Sequence, residues 1–431
     1  MKNFIFVIWL TNFCLFFFAL AAYGYDPNAA HPAINKASLQ LSSADNFLRT
    51  ILHWPAGVST EVEGMSVKQW MEEGGKQEDD GTRGLRHFHD PSKAWNSAGL
   101  PLMPSNLVWS QQAAQEGETT FSWQTARESY FVALETGNTD DFAVSFRAIG
   151  QIIHLLSDMA VPAHVRNDKH PDEVWRITIG PGDPYENWTK ANVRTGKINF
   201  TDMAVPVPHS IFQRAIPNPL APAAISALWD QDVYRVDTPD PAVTRGALHA
   251  GLAEYTNANF FSKDTVFLSY PHPAREDTDV SAIDWRHPEA VDAEDGSFDQ
   301  RLFIRGDAGG PAPIRLASIG YWSYDCLQAG YSQFGDTTVL DDKVHEDYAS
   351  LLIPRAVGYS KALLDYFFSG SLEIAAPEGF VYAITDGSVT PFEFNPIDPQ
   401  RGVTWWQQFT ELKAAVRLTT PEDKPHPFSS T

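Results

Sequence analysis

The chain has 431 residues, of which 43% are hydrophobic and 13% aromatic, so it can bury a large core, and this excludes a fully disordered protein. Its formal net charge of −22 repels phosphate backbones and argues against a stable nucleic-acid partner, although a bound cation can still hold a phosphate locally. We expect one large domain or two modest ones.

The N-terminus has the pattern of a secretory signal peptide. Lys2 precedes a long apolar run, and small residues follow it up to Gly24. This pattern predicts a cleaved signal over residues 1–24 and a secreted or periplasmic protein, with an uncleaved membrane anchor as the alternative. The mature chain then keeps Cys326 as its single cysteine, which excludes an intramolecular disulfide and a zinc site built from cysteines.

The first part of the mature chain alternates predicted helices with loops. Apolar residues at helical spacing predict a helix from Ile34 to Leu52. Gly, Pro, His and acidic residues predict loops over 54–100, and the segment from Asn106 to Glu135 is expected to be broadly helical. Gly137 fits the C-cap of that helix.

A predicted helix over about 140–160, capped by Asn138 or Thr139, carries two separate stripes. The apolar stripe, which predicts core packing, consists of Phe142, Phe146, Ile149, Ile153, Leu156 and Ala160. The second stripe consists of Ala143, Arg147, Gly150, His154 and Asp158. Gly150 leaves space for another backbone or for a bound ion with its ligands.

The rest of the chain is expected to be less regular. Residues 165–210 are rich in loop-forming residues, and the chain from Ala242 to Phe261 is predicted to be helical. Acidic residues with Pro and Gly predict an irregular insertion at about 270–342. A strong apolar helix follows from Val344 to Phe368, and the segment from Leu372 to Ile384 is typical of strands.

Together these elements predict an all-α fold, a multi-helix bundle with loop insertions and a small, possibly β, C-terminal extension. The helical domain would span residues 25–370 and the extension residues 371–431. The sequence shows no internal repeat and no low-complexity tract.

The strongest chemical signal lies at the end of the helix over 140–160. His154 and Asp158 stand four residues apart, so their side chains share one helix face. Pro162 disfavours helix at the residue before it, and a turn there can return His164 to the other two. Imidazole and carboxylate are the ligand types that zinc takes, and a cation would explain a buried carboxylate at position 158.

Other histidines and acids cluster on either side of this motif. His87 and His89 flank Phe88, an acidic run covers 78–80, and His170 precedes the segment 183–186. Each cluster has a plain structural explanation: a surface ion pair, histidines tolerated in a loop, a solvated acidic turn, or an N-cap acid before a helix. Their combination favours a metal site.

At these residues the chain resembles a known superfamily. The segment Ile149–Asp168, with its His-x3-Asp-x5-His spacing and a Pro before the second His, resembles the central signature of the zinc-dependent phospholipases C and their relatives, the single-strand-specific zinc nucleases. Residues 87–91 resemble the His-Phe-Tyr-Asp-Pro motif of the phospholipase branch, with His89 in place of Tyr. Residues 251–261 look like a later helix of bacterial members. The resemblance covers roughly residues 31–370.

The resemblance implies an all-helical fold with a three-zinc cluster, and we expect this chain to bind two or three zinc ions. By resemblance, His87 and His154 hold the first zinc, with Asp79 as a further ligand or as the base that orients water. Asp158 bridges two zinc ions, and His164 holds another. The full set of implied ligands is His31, Asp79, His87, His154, Asp158, His164, His170 and Glu186.

Two of these zinc sites depart from the family's pattern. Gly182 stands where the family has a histidine four residues before its acid, so His170 with Glu186 is the expected substitute, and Asp168 or Asp183 are the alternatives. His31 fits the histidine of the remaining site. In the family that site also uses the amino terminus of the mature chain, usually a Trp, and no Trp stands at the expected place in this sequence.

The leading hypothesis is a zinc-dependent phosphodiester hydrolase of the phospholipase C type, in which a metal-bound hydroxide attacks phosphorus in line. Its substrate would be a phospholipid or another small phosphodiester, with transient contact to a membrane surface. Arg166 could bind a phosphate oxygen or could be a surface arginine. The alternatives are a single-strand nuclease of the same fold and a non-catalytic secreted binding protein on this scaffold.

Overall fold

The computed structural model describes residues 28–169, 182–200, 203–235, 250–268, 270–274, 314–320, 329 and 338–369, together with the backbone of the strands named below. The predicted signal peptide lies outside these residues. The chain divides into two compact units between Asp365 and Tyr366. Within the described ranges, no helix combines the length and the hydropathy needed to cross a bilayer.

Helices dominate the fold, as predicted. In chain order they are α1 (Ala30–Leu41), α2 (Ala44–Thr50), α3 (Val67–Gln77), α4 (Asn106–Gln111), α5 (Trp123–Thr136), α6 (Thr139–Asp158), α7 (Pro162–Val165), α8 (Pro184–Arg194), α9 (Ser226–Trp229), α10 (Leu252–Asn259) and α11 (Asp342–Phe367). Single 3-10 turns cover Gly57–Ser59, Arg83–Arg86, His209–Arg214 and Lys263–Thr265.

The strands pair antiparallel, and most of them are short. In chain order they are β1 (Glu61–Val62), β2 (Met65–Ser66), β3 (Glu173–Val174), β4 (Ile177–Thr178), β5 (Tyr234–Arg235), β6 (Thr238–Pro239), β7 (Asp279–Ser281), β8 (Gln300–Arg305), β9 (Ile314–Gly320), β10 (Ser371–Ala375), β11 (Tyr382–Pro391), β12 (Trp405–Lys413) and β13 (Ala415–Thr419). The first unit contains the hairpins β1-β2, β3-β4 and β5-β6 and the sheet β7-β8-β9. In the second unit β10 pairs with β13 and β11 with β12, so the prediction of an all-α fold with a small β extension is confirmed.

Several predicted boundaries are wrong. The single helix expected over 34–52 is two helices, because the side chain of Ser42 accepts from the Ala44 N–H and donates to the Leu39 carbonyl, and so competes with the helix. The helix expected over 106–135 is likewise interrupted between α4 and α5.

Regular structure also occurs where loops were predicted. The segment 54–100 contains α3, which begins with a capping box between Ser66 and Gln69. The loop-rich stretch over 165–210 contains α8, and the insertion at 270–342 contains the sheet β7-β8-β9. Of the helix predicted over 242–261, the structure describes residues 250–261, in which α10 covers Leu252–Asn259.

The helix α6 is the centre of the first unit. Its predicted N-cap is confirmed at Asn138, whose side chain accepts from the Asp140 N–H. Gly137 before it has a φ of 73°, the left-handed conformation that ends α5. The predicted packing stripe is also confirmed, since its members Phe142, Phe146, Ile149, Ile153, Leu156 and Ala160 are all buried.

Two glycines let α3 lie close against α6. A Cβ on Gly150 would collide with the carbonyl oxygen of Met71, and a Cβ on Gly74 would collide with the carbonyl oxygen of Arg147. Gly150 therefore makes room for a backbone, one of its two predicted roles. The side-chain amide of Asn35 on α1 donates to the carbonyls of Met71 and Gly150 at 2.8 and 3.2 Å. Three distant segments thus meet near the end of α6.

Candidate metal centre

The last two turns of α6 provide the first pair of candidate ligands. The Nε2 of His154 lies 3.6 Å from Oδ2 of Asp158, and both side chains are fully buried. The other ring nitrogen of His154 bonds to the carbonyl oxygen of Gly75 on α3. A carbonyl can only accept, so Nδ1 carries the proton of the neutral ring and Nε2 presents its lone pair to the carboxylate.

The turn predicted at Pro162 brings His164 to the same place. Val161 is extended, with φ −104° and ψ 115°, and Pro162 opens the short helix α7. His164 is buried, and its Nδ1 donates to the carbonyl oxygen of His87 at 3.0 Å. Its Nε2 is therefore the nitrogen that can bind a metal ion.

The N-terminal helix α1 supplies a third histidine. The ring of His31 stacks on that of His154, with 3.5 Å between the ring centroids. Its Nδ1 lies 2.9 Å from the hydroxyl oxygen of Ser157, and its Nε2 lies 3.3 Å from Oδ1 of Asp158. The two oxygens of Asp158 thus face histidines from different parts of the chain.

The segment after α3 completes the cluster. Asp79 has its Oδ1 at 3.5 Å from Nδ1 of His87 and at 3.6 Å from Nε2 of His154. His87 follows the 3-10 turn over Arg83–Arg86, and its Nδ1 lies 3.2 Å from Oδ2 of Asp158. His87 faces the acids through Nδ1, whereas the other three histidines face them through Nε2.

The cluster divides into two adjacent groups. In the first, one potential ligand atom from each of His31, Asp79 and His154 lies within 4.8 Å of the other two. In the second, the same holds for atoms of His87, Asp158 and His164. This division differs from the expected one, in which His87 and His154 share an ion. Because Asp79 and Asp158 each approach histidines of both groups, the two groups form one centre.

Glu186 is the acid that the structure places at His164. Its Oε1 lies 3.0 Å from Nε2 of His164. Asp183 caps α8 by accepting from the Glu186 N–H at 3.0 Å, and Asp168 accepts from the Asp264 N–H at 3.0 Å. His170 lies outside the described residues. Of the acids left open by the sequence, Glu186 is thus the one that contacts the His164 ring.

The neighbours of these ligands in sequence bind other partners or lie on the surface, although Glu78 also lies 3.9 Å from Nε2 of His87. Glu78 forms an ion pair with Arg83, and Asp80 lies on the exposed side of the turn. His89 turns away from the cluster to Asp230, with 2.8 Å between Nε2 and Oδ2. The acidic run and the His-Phe-His sequence therefore each place one side chain in the cluster.

Arg166 is buried, and its guanidinium binds protein acceptors. It is 3% exposed, which makes the surface interpretation wrong. Its guanidinium donates to Thr265 Oγ1 at 3.0 Å, to the Asn257 carbonyl at 2.7 Å and to the His272 carbonyl. These bonds tie three segments together, which is a structural role. Sequence analysis missed its carbonyl acceptors because backbone groups carry no sequence signal.

The electrostatics of the cluster favour a cation. Burial lowers the pKa of His154 to about 3, so its ring stays neutral. Burial, and next the Asp79 carboxylate, raise the pKa of Asp158 well above its ordinary value. Within the part of the chain that the structure describes, both Asp158 oxygens, both His87 nitrogens and Nε2 of His154 lack a hydrogen-bond partner. Lone pairs that face each other in a dry site are costly, and bound cations relieve this cost.

These buried histidines and aspartates can therefore hold a metal ion. Comparisons of the chain with protein-family models, with curated proteins and with solved structures found no match. No family is assigned to the chain by these comparisons.

Proposed function

We propose that the protein is a zinc-dependent phosphodiester hydrolase, most similar in type to the zinc phospholipases C. The observation that carries the proposal is the position of Asp158. Its Oδ1 faces Nε2 of His31 at 3.3 Å, and its Oδ2 faces Nδ1 of His87 at 3.2 Å. Asp158 would therefore offer one carboxylate oxygen to each of the two groups and could help to hold two ions.

Zinc fits the donor set better than calcium or magnesium. The two groups offer imidazole nitrogens with one carboxylate each, and zinc commonly takes this mixture. Calcium and magnesium prefer shells made of oxygen, which four histidines cannot supply. Three of the histidines form a hydrogen bond through Nδ1 that orients the ring. His31 bonds to the Ser157 hydroxyl, His154 to the Gly75 carbonyl and His164 to the His87 carbonyl. Such bonds fix the ring and raise the basicity of the ligand nitrogen.

Phosphodiester hydrolysis follows from the chemistry of neighbouring ions. Paired zinc ions lower the pKa of a bound water toward ~7 and offset the negative charge that develops on phosphorus oxygens. The chain itself would supply Asp79, which approaches both groups and can accept a proton or orient water. The burial of these side chains would strengthen the electrostatic interactions inside the site.

The net charge of −22 favours a lipid head group or another small ester over a polynucleotide. The test is the release of phosphocholine from phosphatidylcholine vesicles, measured beside the digestion of single-stranded DNA by the same purified protein. We expect the first reaction, its loss in His154→Ala, and no loss in His209→Ala, which changes an exposed histidine. DNA digestion alone would identify the nuclease alternative, and zinc binding without turnover of either substrate would identify the binding-protein alternative.

A further inference from the structure

Behind His87, on the side away from the other ligands, lies a buried carboxylate that the proposed chemistry does not use. Oε1 of Glu78 lies 3.9 Å from Nε2 of His87, and both side chains are fully buried. That nitrogen has no hydrogen-bond partner among the residues that the structure describes. The other nitrogen of the same ring, Nδ1, faces Asp158 and Asp79.

Glu78 is held in this position by two other buried side chains. Arg83 donates to Oε2 from Nε at 2.8 Å and from Nη2 at 2.6 Å. The indole Nε1 of Trp109 donates to Oε1 at 3.0 Å. Arg83 is itself fixed, because it also donates to the Thr119 carbonyl and to Oε1 of Gln115 at 3.0 Å each. Oε1 of Glu78 retains a second lone pair for a further donor.

We infer that Glu78 is a positioning residue for His87: it accepts the Nε2–H of that ring and thereby keeps Nδ1 deprotonated as the metal ligand. This inference rests on the proposed metal-dependent function. A shift of about 1 Å brings the 3.9 Å separation to hydrogen-bond length. A carboxylate behind a ligand histidine makes the ligand nitrogen more basic than a neutral acceptor does.

His87 would then differ from the other three ligand histidines in two ways. It binds through Nδ1, and its outer partner is a carboxylate, whereas the outer partners of His31, His154 and His164 are a hydroxyl and two carbonyls. Of the four rings, His87 is the one with the buried ion pair of Glu78 and Arg83 behind it. The group formed by His87, Asp158 and His164 is therefore expected to depend on Glu78 more than the other group does.

The experiment replaces both members of the ion pair, so that no unpaired buried charge remains. Glu78→Gln with Arg83→Met is compared with Asp347→Asn with Arg315→Met, which removes a partly exposed ion pair between α11 and β9 that touches no histidine of the cluster. The probe is Co²⁺ added to the metal-free protein, with binding measured by competition with a chelator and by its visible absorption. We expect the first double variant to lose 10- to 100-fold in affinity for one ion and to change the spectrum. The control pair should change neither.

A second measurement uses the unaltered chain. In protein loaded with ¹¹³Cd²⁺ and labelled with ¹⁵N-histidine, we expect coupling of the metal to Nδ1 of His87 and a proton on Nε2. Coupling to Nε2, or unchanged Co²⁺ affinity in the first double variant, would overturn the inference while leaving the proposed function intact. Failure of the wild-type protein to bind Co²⁺ or Cd²⁺ at all would instead contradict the proposed function.

Discussion

The imidazole rings of His31 and His154 stack at a centroid separation of 3.5 Å and an interplanar angle of 15°. Two protonated rings would repel each other at this distance, and burial, followed by the nearness of His154, lowers the pKa of His31 well below its ordinary value. The rings are therefore a pair of neutral donors. Because His31 belongs to α1 and His154 to α6, the centre assembles only when the N-terminal helix is in place.

Loss of a single ligand should abolish hydrolysis and leave the fold intact. His154→Ala and His164→Ala are each expected to lower the rate of phosphodiester hydrolysis by at least ~100-fold, since even outer partners of metal ligands contribute 10- to 100-fold. Far-UV circular dichroism and a urea unfolding curve report whether the variants fold. Folded variants with wild-type rates would show that these histidines are not part of the reacting site.

The cap of α8 should affect stability and the position of Glu186. Asp183 accepts from the Glu186 N–H at 3.0 Å, so Asp183→Ala is expected to lower the free energy of unfolding by ~1 kcal/mol. Asp183→Ser keeps a capping oxygen and serves as the control. Both variants should retain the wild-type number of bound zinc ions. A missing zinc ion in both would make Asp183, and not Glu186, the acid of the His164 site.

The contact of α3 with α6 should tolerate no side chain at Gly150. Because a Cβ there would meet the Met71 carbonyl, Gly150→Ala is expected to lower the free energy of unfolding by about 1–3 kcal/mol. It should also weaken metal binding, since α3 leads into Asp79. Val144→Ala on the exposed side of α6 is the comparison and should stay within about 0.5 kcal/mol of wild type. Equal stability of the two variants in urea would be inconsistent with the close helix contact.

The sequence predicted those ligands of the centre that lie on regular backbone better than those that lie on irregular backbone. His154, Asp158 and His164 were predicted together because their relation is local: one helix face and one turn at Pro162. The resemblance named His87 rather than His89, and Asp79 rather than its acidic neighbours. Residue spacing alone does not make these choices, because in irregular backbone adjacent side chains follow no fixed period. The tertiary contacts with Asp230 and Arg83 decide them.

Other parts of the fold show the same limit. The helix α3 was missed although Ser66 and Gln69 form a capping box that was visible in the sequence. The ion pair between Glu78 and Arg83 was also missed, because five residues of separation across a turn give no helical or strand pattern. The apolar stripe of α6 was predicted correctly because a long helix with an apolar face repeats its signal over several turns.

The buried His345 makes the stability of the protein depend on pH. Burial lowers its pKa from 6.5 to about 4. As the pH falls from about 6.5 toward 4, the unfolded chain binds a proton that the folded protein does not, so the free energy of unfolding decreases. His345→Gln should therefore reduce the pH dependence of that free energy by up to ~1.4 kcal/mol per pH unit in this window. Urea unfolding at pH 4.5 and 6.5 measures it, with the exposed His209→Gln as control. An identical pH dependence in wild type and His345→Gln would disprove this role.

The most direct test of the metal centre is the zinc content of the purified chain. Bound metal is removed with a chelator, and the protein is then incubated with zinc and dialysed against metal-free buffer. The number of zinc ions per chain is measured for the wild type, His154→Ala and His164→Ala. We predict two or three zinc ions in the wild type and at least one fewer in each variant. Less than one zinc ion per wild-type chain, or equal contents in all three proteins, would contradict the account.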